Sequence, residues 1–316
     1  MHAAGPPLYE IAGLPRRGVG PLATARLIVD KPTRDQMVIF DPQTAPLLRR
    51  IVRGADIHPW RCDATRYLLT LPTSWTAATF GDVSAAQAWN LLAERYPLIQ
   101  QRLAARHSPG PHPWWELSTH DLTVFDQPQL IWPSSSMRPR FALTAAGQIA
   151  GPGTCHVSGS PFLLGILMSR PAWRMLSSYS PSGHTYRLWP ALFGQLPVPE
   201  ASEPQQATIG ALAQRIAELS RERAGLERDG TLRLLRDFAP PGATPGPRLE
   251  RWWNLDFAAL RAELVTRFGG DIPARFRDTR AAEHEAASLR HAALNDTIAL
   301  AEETLNSQVA VLYGVV

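Results

Sequence analysis

PQLIWPSSSMRPRFAL, residues 128–143, is the stretch on which the reading of this chain turns. Its two ends are short apolar runs interrupted by proline, the pattern of brief buried strands. Between them stand Ser134, Ser135, Ser136, Met137, Arg138 and Arg140, too polar to continue a core strand. The spacing predicts a polar, arginine-bearing loop raised between two strands. One of Arg138 and Arg140 is expected to face a partner while the other buttresses the loop.

Working outward, residues 1–20 are rich in Gly, Pro and Ala and read as a flexible lead-in. ARLIVD (25–30) and QMVIFD (36–41) read as short buried strands separated by a turn at Pro32. Residues 85–106 are helix-like, with Trp89, Leu92, Tyr96, Ile99 and Leu103 three and four apart; Pro97 is expected to kink or split that helix. From Trp114 to Leu143 the pattern changes to short β-type runs, and Phe162 to Met168 is a buried helix candidate. Beyond Pro199 the character shifts again. Ile209, Leu212, Ile216, Leu219 and Leu226 mark an amphipathic helix over 206–228, and Leu294, Ile298, Ala301, Leu305, Val309 and Leu312 mark a second over 281–313. APPGATPGPR (239–248) is a Pro/Gly linker between them. The expected fold is therefore α+β: a lead-in over 1–20, a domain of mixed sheet and helices over 21–200, and a helical spacer over 201–316 whose two helices pack as a hairpin or against a partner.

Composition bounds the chemistry. The 316 residues are 45% hydrophobic and 19% charged, ordinary for a globular protein able to bury a core. The net charge of +4 is unevenly placed, since residues 251–316 hold seven Arg against nine Asp plus Glu, about −2, leaving about +6 on the first 250. A basic front half suits a polyanion. Lys31 is the only lysine, with Asp30 before it and Val29 two before it. A Gly-Lys phosphate loop and an Asp, Glu-x-Lys nuclease site are thereby excluded. Cys62 and Cys155 are far apart and read as inert buried thiols in a reducing cytoplasm. The longest apolar stretch, 162–168, is too short to span a membrane, and no signal-peptide pattern opens the chain.

Other chemistry is sparse. Asp41-Pro42-Gln43 is no Asn/Asp-Pro-Pro-aromatic loop, and no Gly-rich turn follows a strand, so a methyl-transfer site is not expected here. His58, His112, His156 and His184 show no metal-ligand spacing. SSYSPSGHTYR (177–187) lacks a nucleophile elbow and reads as a polar loop able to meet phosphates or base edges, with His184 and Arg187 its candidate contacts. Trp114, Trp115 and Trp132 can stack on bases, but the apolar runs around them favour core positions. Arg49, Arg50 and Arg53 form a second basic cluster, whose alternative reading is a solvated helix end.

HPWWEL (112–117), PQLIWP (128–133), RPRFAL (138–143) and TCHV (154–157), preceded by RRIVRGADIHPW (49–60), form an order that resembles the target-recognition domain, of the TaqI-like specificity type, of type IIG and BREX-type phage-exclusion adenine-specific DNA methyltransferases. The resemblance continues through FLLGILMSR (162–170), LPVP (196–199), WNLDFAALRAEL (253–264), FGGDIPARFRD (268–278) and LNSQVAVLYGV (305–315). It departs from the family at Met168, where an asparagine is usual, and at Pro21, Leu22 and Thr24 in the opening loop. The resemblance implies a DNA-reading part that is not itself an enzyme and holds no cofactor. S-adenosylmethionine would be bound by a partner methyltransferase chain or domain. Candidate contacts to double-stranded DNA are Ser134, Ser135, Ser136, Arg138 and Arg140 on the loop, with Arg49, Arg50, Arg53, His184 and Arg187. The alternative expectation is an interaction subunit of a phage-defence complex that no longer reads DNA.

Overall fold

The computed structural model describes residues 5–20, 27–72, 74–104, 115–116, 122–179 and 186–315. They fall into two compact units. One is Met1–Ala211 together with Val309–Val316, and the other is Leu212–Gln308. The fold is α+β, with every strand in the first unit and long helices toward the C-terminus.

The first unit is organised around the opening stretch. Gln129–Pro133 is a strand buried along its whole length. Apolar side chains on both faces place it centrally in a four-stranded antiparallel sheet, in the order Arg16–Arg17, Thr154–Ser158, Gln129–Pro133, Ala142–Leu143. Pro133, which has no N–H to give a ladder, is its last residue. A second four-stranded sheet runs Ile149–Ala150, Leu48–Val52, Arg66–Leu69, Ile28–Val29, parallel in its first pair and antiparallel in the others. The core joins Ile51, Leu68 and Ile149 to Ile131 and Ala142 of the first sheet and to Leu92, Ile99 and Leu103 of two helices. Those helices, Ala85–Arg95 and Pro97–Ala104, come from the 85–106 segment, split at Tyr96 by the proline that follows.

Two local expectations are corrected. QMVIFD is not a strand, because its first five residues lie in the helix Lys31–Phe40 and Asp41 is that helix's C-cap. Asp30 caps that helix by accepting from Thr33 N at 3.0 Å, and Pro32 sits in its first turn, where its missing N–H costs nothing. The lead-in is structured in its described part: Leu8–Ala12 is a short helix with Leu8 fully buried, and Arg16–Arg17 is a sheet-edge strand.

In the second unit the stretches Leu212–Phe238 and Arg277–Gln308, belonging to the helices Glu203–Phe238 and Arg277–Leu312, run antiparallel. Asp237 to Arg280, Glu222 to Arg290 and Arg223 to Asn295 mark the register, at 2.8, 2.8 and 2.6 Å. Ile216, Leu219, Leu294, Ile298 and Leu305 of these stretches are buried. The helix over 206–228 extends ten residues further than its seam suggests, because Trp252, Leu260, Leu264 and Ile272 give its last turns a second apolar cluster in which Leu226, Leu234 and Phe238 share. Gly230 is a fixed point of that packing. A Cβ there would drive into the Trp252 indole, which donates through Nε1 to Glu227 O at 3.1 Å. Asp256 caps the helix Phe257–Phe268, and Gly269 closes it with a left-handed φ of 73°. Asp271 then ties Arg261 to Arg277, at 2.9 and 2.8 Å.

Candidate nucleic-acid interface

Ser134 leaves the central strand and remains stitched to both neighbours: its N–H donates to Gly153 O at 2.9 Å, and its carbonyl accepts from Leu188 N at 3.0 Å. Ser135–Ser136 then pairs antiparallel with Tyr186–Arg187, setting Arg187 opposite Ser135. The tip that follows is a tight polar turn. Ser136 is buried, and its hydroxyl donates to Arg138 O at 2.6 Å. This bond holds Met137 and Arg138 outward; both are exposed. Among the described residues the Arg138 guanidinium has no ion-pair partner.

Arg140 does the opposite job. Its guanidinium turns inward, with Nη2 donating to Gly54 O at 3.0 Å and Nε to Ile57 O at 2.8 Å. Burial, and secondarily the Arg138 charge, lower its affinity for the proton from the ordinary arginine value, yet it remains a cation at neutral pH. The carbonyls it holds introduce a hairpin, Ile57–His58 paired with Arg61–Cys62, whose two-residue turn is Pro59–Trp60. Trp60 adopts φ 67°, an uncommon conformation for a residue with a Cβ, while its side chain is 98% buried and its N–H donates to Phe141 O at 3.1 Å. Loop and hairpin are therefore locked together from both sides.

The second basic cluster is dispersed. Arg49 and Arg50 lie on the strand Leu48–Val52, so the helix-end reading is corrected. As sequence neighbours they point to opposite faces. Arg49 donates to Gly147 O, Leu122 O and Asp126 Oδ1 at 3.2, 3.3 and 2.9 Å. Arg53 forks onto both carboxylate oxygens of Asp56 at 3.0 Å, which raises its pKa further. Arg50 is exposed, beside the Tyr67 ring and 3.4 Å from Ala64 O. His184 lies outside the described residues.

Beside the loop is a groove of about 370 Å³, lined by Ser134, Ser135 and Arg187 together with two residues that sequence reasoning missed, Arg17 and Trp189. Arg17 lies 4.4 Å over the Trp189 ring. Gly18 lets this edge strand press against the sheet, since a Cβ would collide with Thr154 Oγ1 and Gly151 O. No local signal marks Arg17 or Trp189, because long-range strand pairing brings them to Ser134.

Trp114 and His112 lie outside the described residues, while Trp115, Trp132 and His156 take structural places. Trp115 and Trp132 are buried; their indole N–H groups donate to Thr76 Oγ1 at 2.9 Å and Leu188 O at 3.2 Å. His156 is buried against Phe125 and 3.2 Å from Gln129 Oε1, and burial, with a smaller push from Arg16, lowers its pKa to about 4. Burial raises the Cys155 thiol to about 11, so it is protonated and inert. Among the described residues no group of three His, Cys, Asp or Glu is placed to hold a metal ion, and no helix is long and apolar enough to cross a membrane.

A family model described as a "Domain of unknown function (DUF8810)" matches residues 202–309. No curated protein matches the chain. Among solved structures, a type IIL restriction-modification enzyme, MmeI, in complex with DNA is similar over 98% of this chain, with a TM-score of 0.51 and 14% sequence identity. This chain spans 34% of the length of that one. At that identity the likeness is one of fold: the chain has the fold of part of a restriction-modification enzyme.

Proposed function

We propose that this chain reads double-stranded DNA as the specificity part of an adenine-specific DNA methyltransferase in a restriction-modification or phage-defence system. The observation that carries the reading is the division of labour between two arginines on one loop. Arg138 is exposed at a tip stabilised by Ser136, and Arg140 is spent on bracing the base of that tip. A rigid loop with a free planar fork is what direct readout of guanine O6 and N7 in the major groove requires. Ser134, Ser135 and Arg187 flank it, and Arg50 is available for backbone contact. The fold shared with an enzyme solved in complex with DNA supports the reading. Donor binding and base flipping belong to a methyltransferase chain or domain outside these residues, so the division of chemistry is recognition here and transfer there.

The test is binding selection from a random duplex library by the 316-residue chain. An enriched motif in which Arg138→Ala relaxes one position supports the reading. No enriched motif, or one unaffected by Arg138→Ala, Ser134→Ala and Ser135→Ala, overturns the loop as reader.

A further inference from the structure

The groove beside the loop differs in charge pattern from the surroundings of several structural arginines of this chain. Arg49, Arg53, Arg261 and Arg280 are each held by a carboxylate. Arg17 and Arg187 face one concavity in which, among the described lining residues, there is no Asp or Glu, and neither guanidinium has an ion-pair partner among the described residues. Two exposed cations on one concave surface, with no carboxylate among its described lining, make that surface attractive to an anion. The other lining groups narrow its chemistry. Exposed Ser134 and Ser135 offer hydroxyls, and Trp189, backed by Arg17 on one face, is still 42% exposed and offers an apolar surface. About 370 Å³ exceeds the space of a lone phosphate and suits a phosphate with its sugar.

From this we infer a phosphodiester seat: the groove takes one phosphate–deoxyribose unit of the DNA backbone, held by Arg17 and Arg187 with the sugar against Trp189. The inference rests on the DNA-reading proposal and deepens it. Ser135 lines the groove and stands three residues before Arg138, so the seated phosphate adjoins the bases that the loop reads and sets its register on them.

The experiment uses the full chain and a duplex carrying its selected motif, with each backbone phosphate replaced in turn by an uncharged methylphosphonate. Wild type loses affinity at one or two positions. Arg17→Gln and Arg187→Gln bind every sequence several-fold more weakly and no longer respond at those positions. Each flattens the dependence of log K on log salt by about one unit. If one variant melts lower than wild type, the other carries the test from the opposite wall. Unchanged methylphosphonate profiles in both variants, with sequence preference intact, overturn the seat and leave the DNA-reading proposal standing. Competition by inorganic phosphate without any methylphosphonate effect means a free-anion site and overturns it too. Absence of duplex binding at any salt overturns both.

Discussion

Arg138 and Arg140 stand two residues apart, and their replacement should fail in opposite ways. Arg138→Ala removes an exposed side chain with no ion pair among the described residues. Thermal unfolding is expected to stay unchanged while discrimination at one base pair falls by about 1–3 kcal/mol in competition binding. Arg140→Ala strips the donors from the Gly54 and Ile57 carbonyls. Stability is expected to drop by about 1–3 kcal/mol in chemical denaturation, with affinity for all sequences falling together as the loop loosens. His156 gives the first unit a pH signature. Its pKa of about 4 lies below the ordinary 6.5, so the unfolded chain binds the proton first. Stability therefore declines as pH falls from about 6.5 toward 4, by roughly 3 kcal/mol in all, and His156→Gln should flatten that window in denaturation series.

Among the elements, the strand Gln129–Pro133 was legible because an apolar run bounded by proline has few other uses. The paired seams of the long helices were legible for the same local reason. QMVIFD was not: Pro32 serves a turn and a helix's first turn equally well, and the deciding signal was Asp30, a cap read as a strand end. Arg49, Arg50 and Arg53 looked like one cluster because adjacency in sequence hides the alternation of a strand. The Arg17 wall of the groove was illegible because its residues meet Ser134 only through strand pairs distant in sequence. In the second unit, Gly230→Ala tests whether packing or helix propensity rules. Alanine gains roughly 1 kcal/mol of propensity, but forcing the Trp252 indole off its bond to Glu227 costs roughly 1–3 kcal/mol. A net loss of stability is expected; a gain would show that the indole moves freely. The Arg261 and Arg277 guanidiniums hold Asp271 down to about 2, below the ordinary carboxylate value of 3.8. That contribution is present above pH 3.8 and disappears as pH falls through 2, a window separate from that of His156, which fluorescence of Trp252 and Trp253 can follow.

Across the whole molecule, the apolar seams of the second unit make a stronger demand than its ion pairs, most of which are exposed. Ile216 is fully buried and Leu305 nearly so. Ile216→Asp or Leu305→Lys places an unpaired ion there, at about 3–5 kcal/mol. Melting of that unit and co-purification with a methyltransferase partner are expected to suffer before DNA binding does; unchanged melting in both variants would mean that these side chains are not buried in solution. Val309–Val316 belongs to the first unit, with Val309 fully buried and the Tyr313 hydroxyl donating to Pro197 O at 3.0 Å. The helical unit is thus nested inside the other along the gene rather than appended to it. A stop codon after residue 200 would delete a plug of the first unit along with the helices, and the truncated product is expected to aggregate. Splicing Ala211 to Val309 through a short flexible bridge keeps the plug and is the deletion expected to leave the first unit folded on its own.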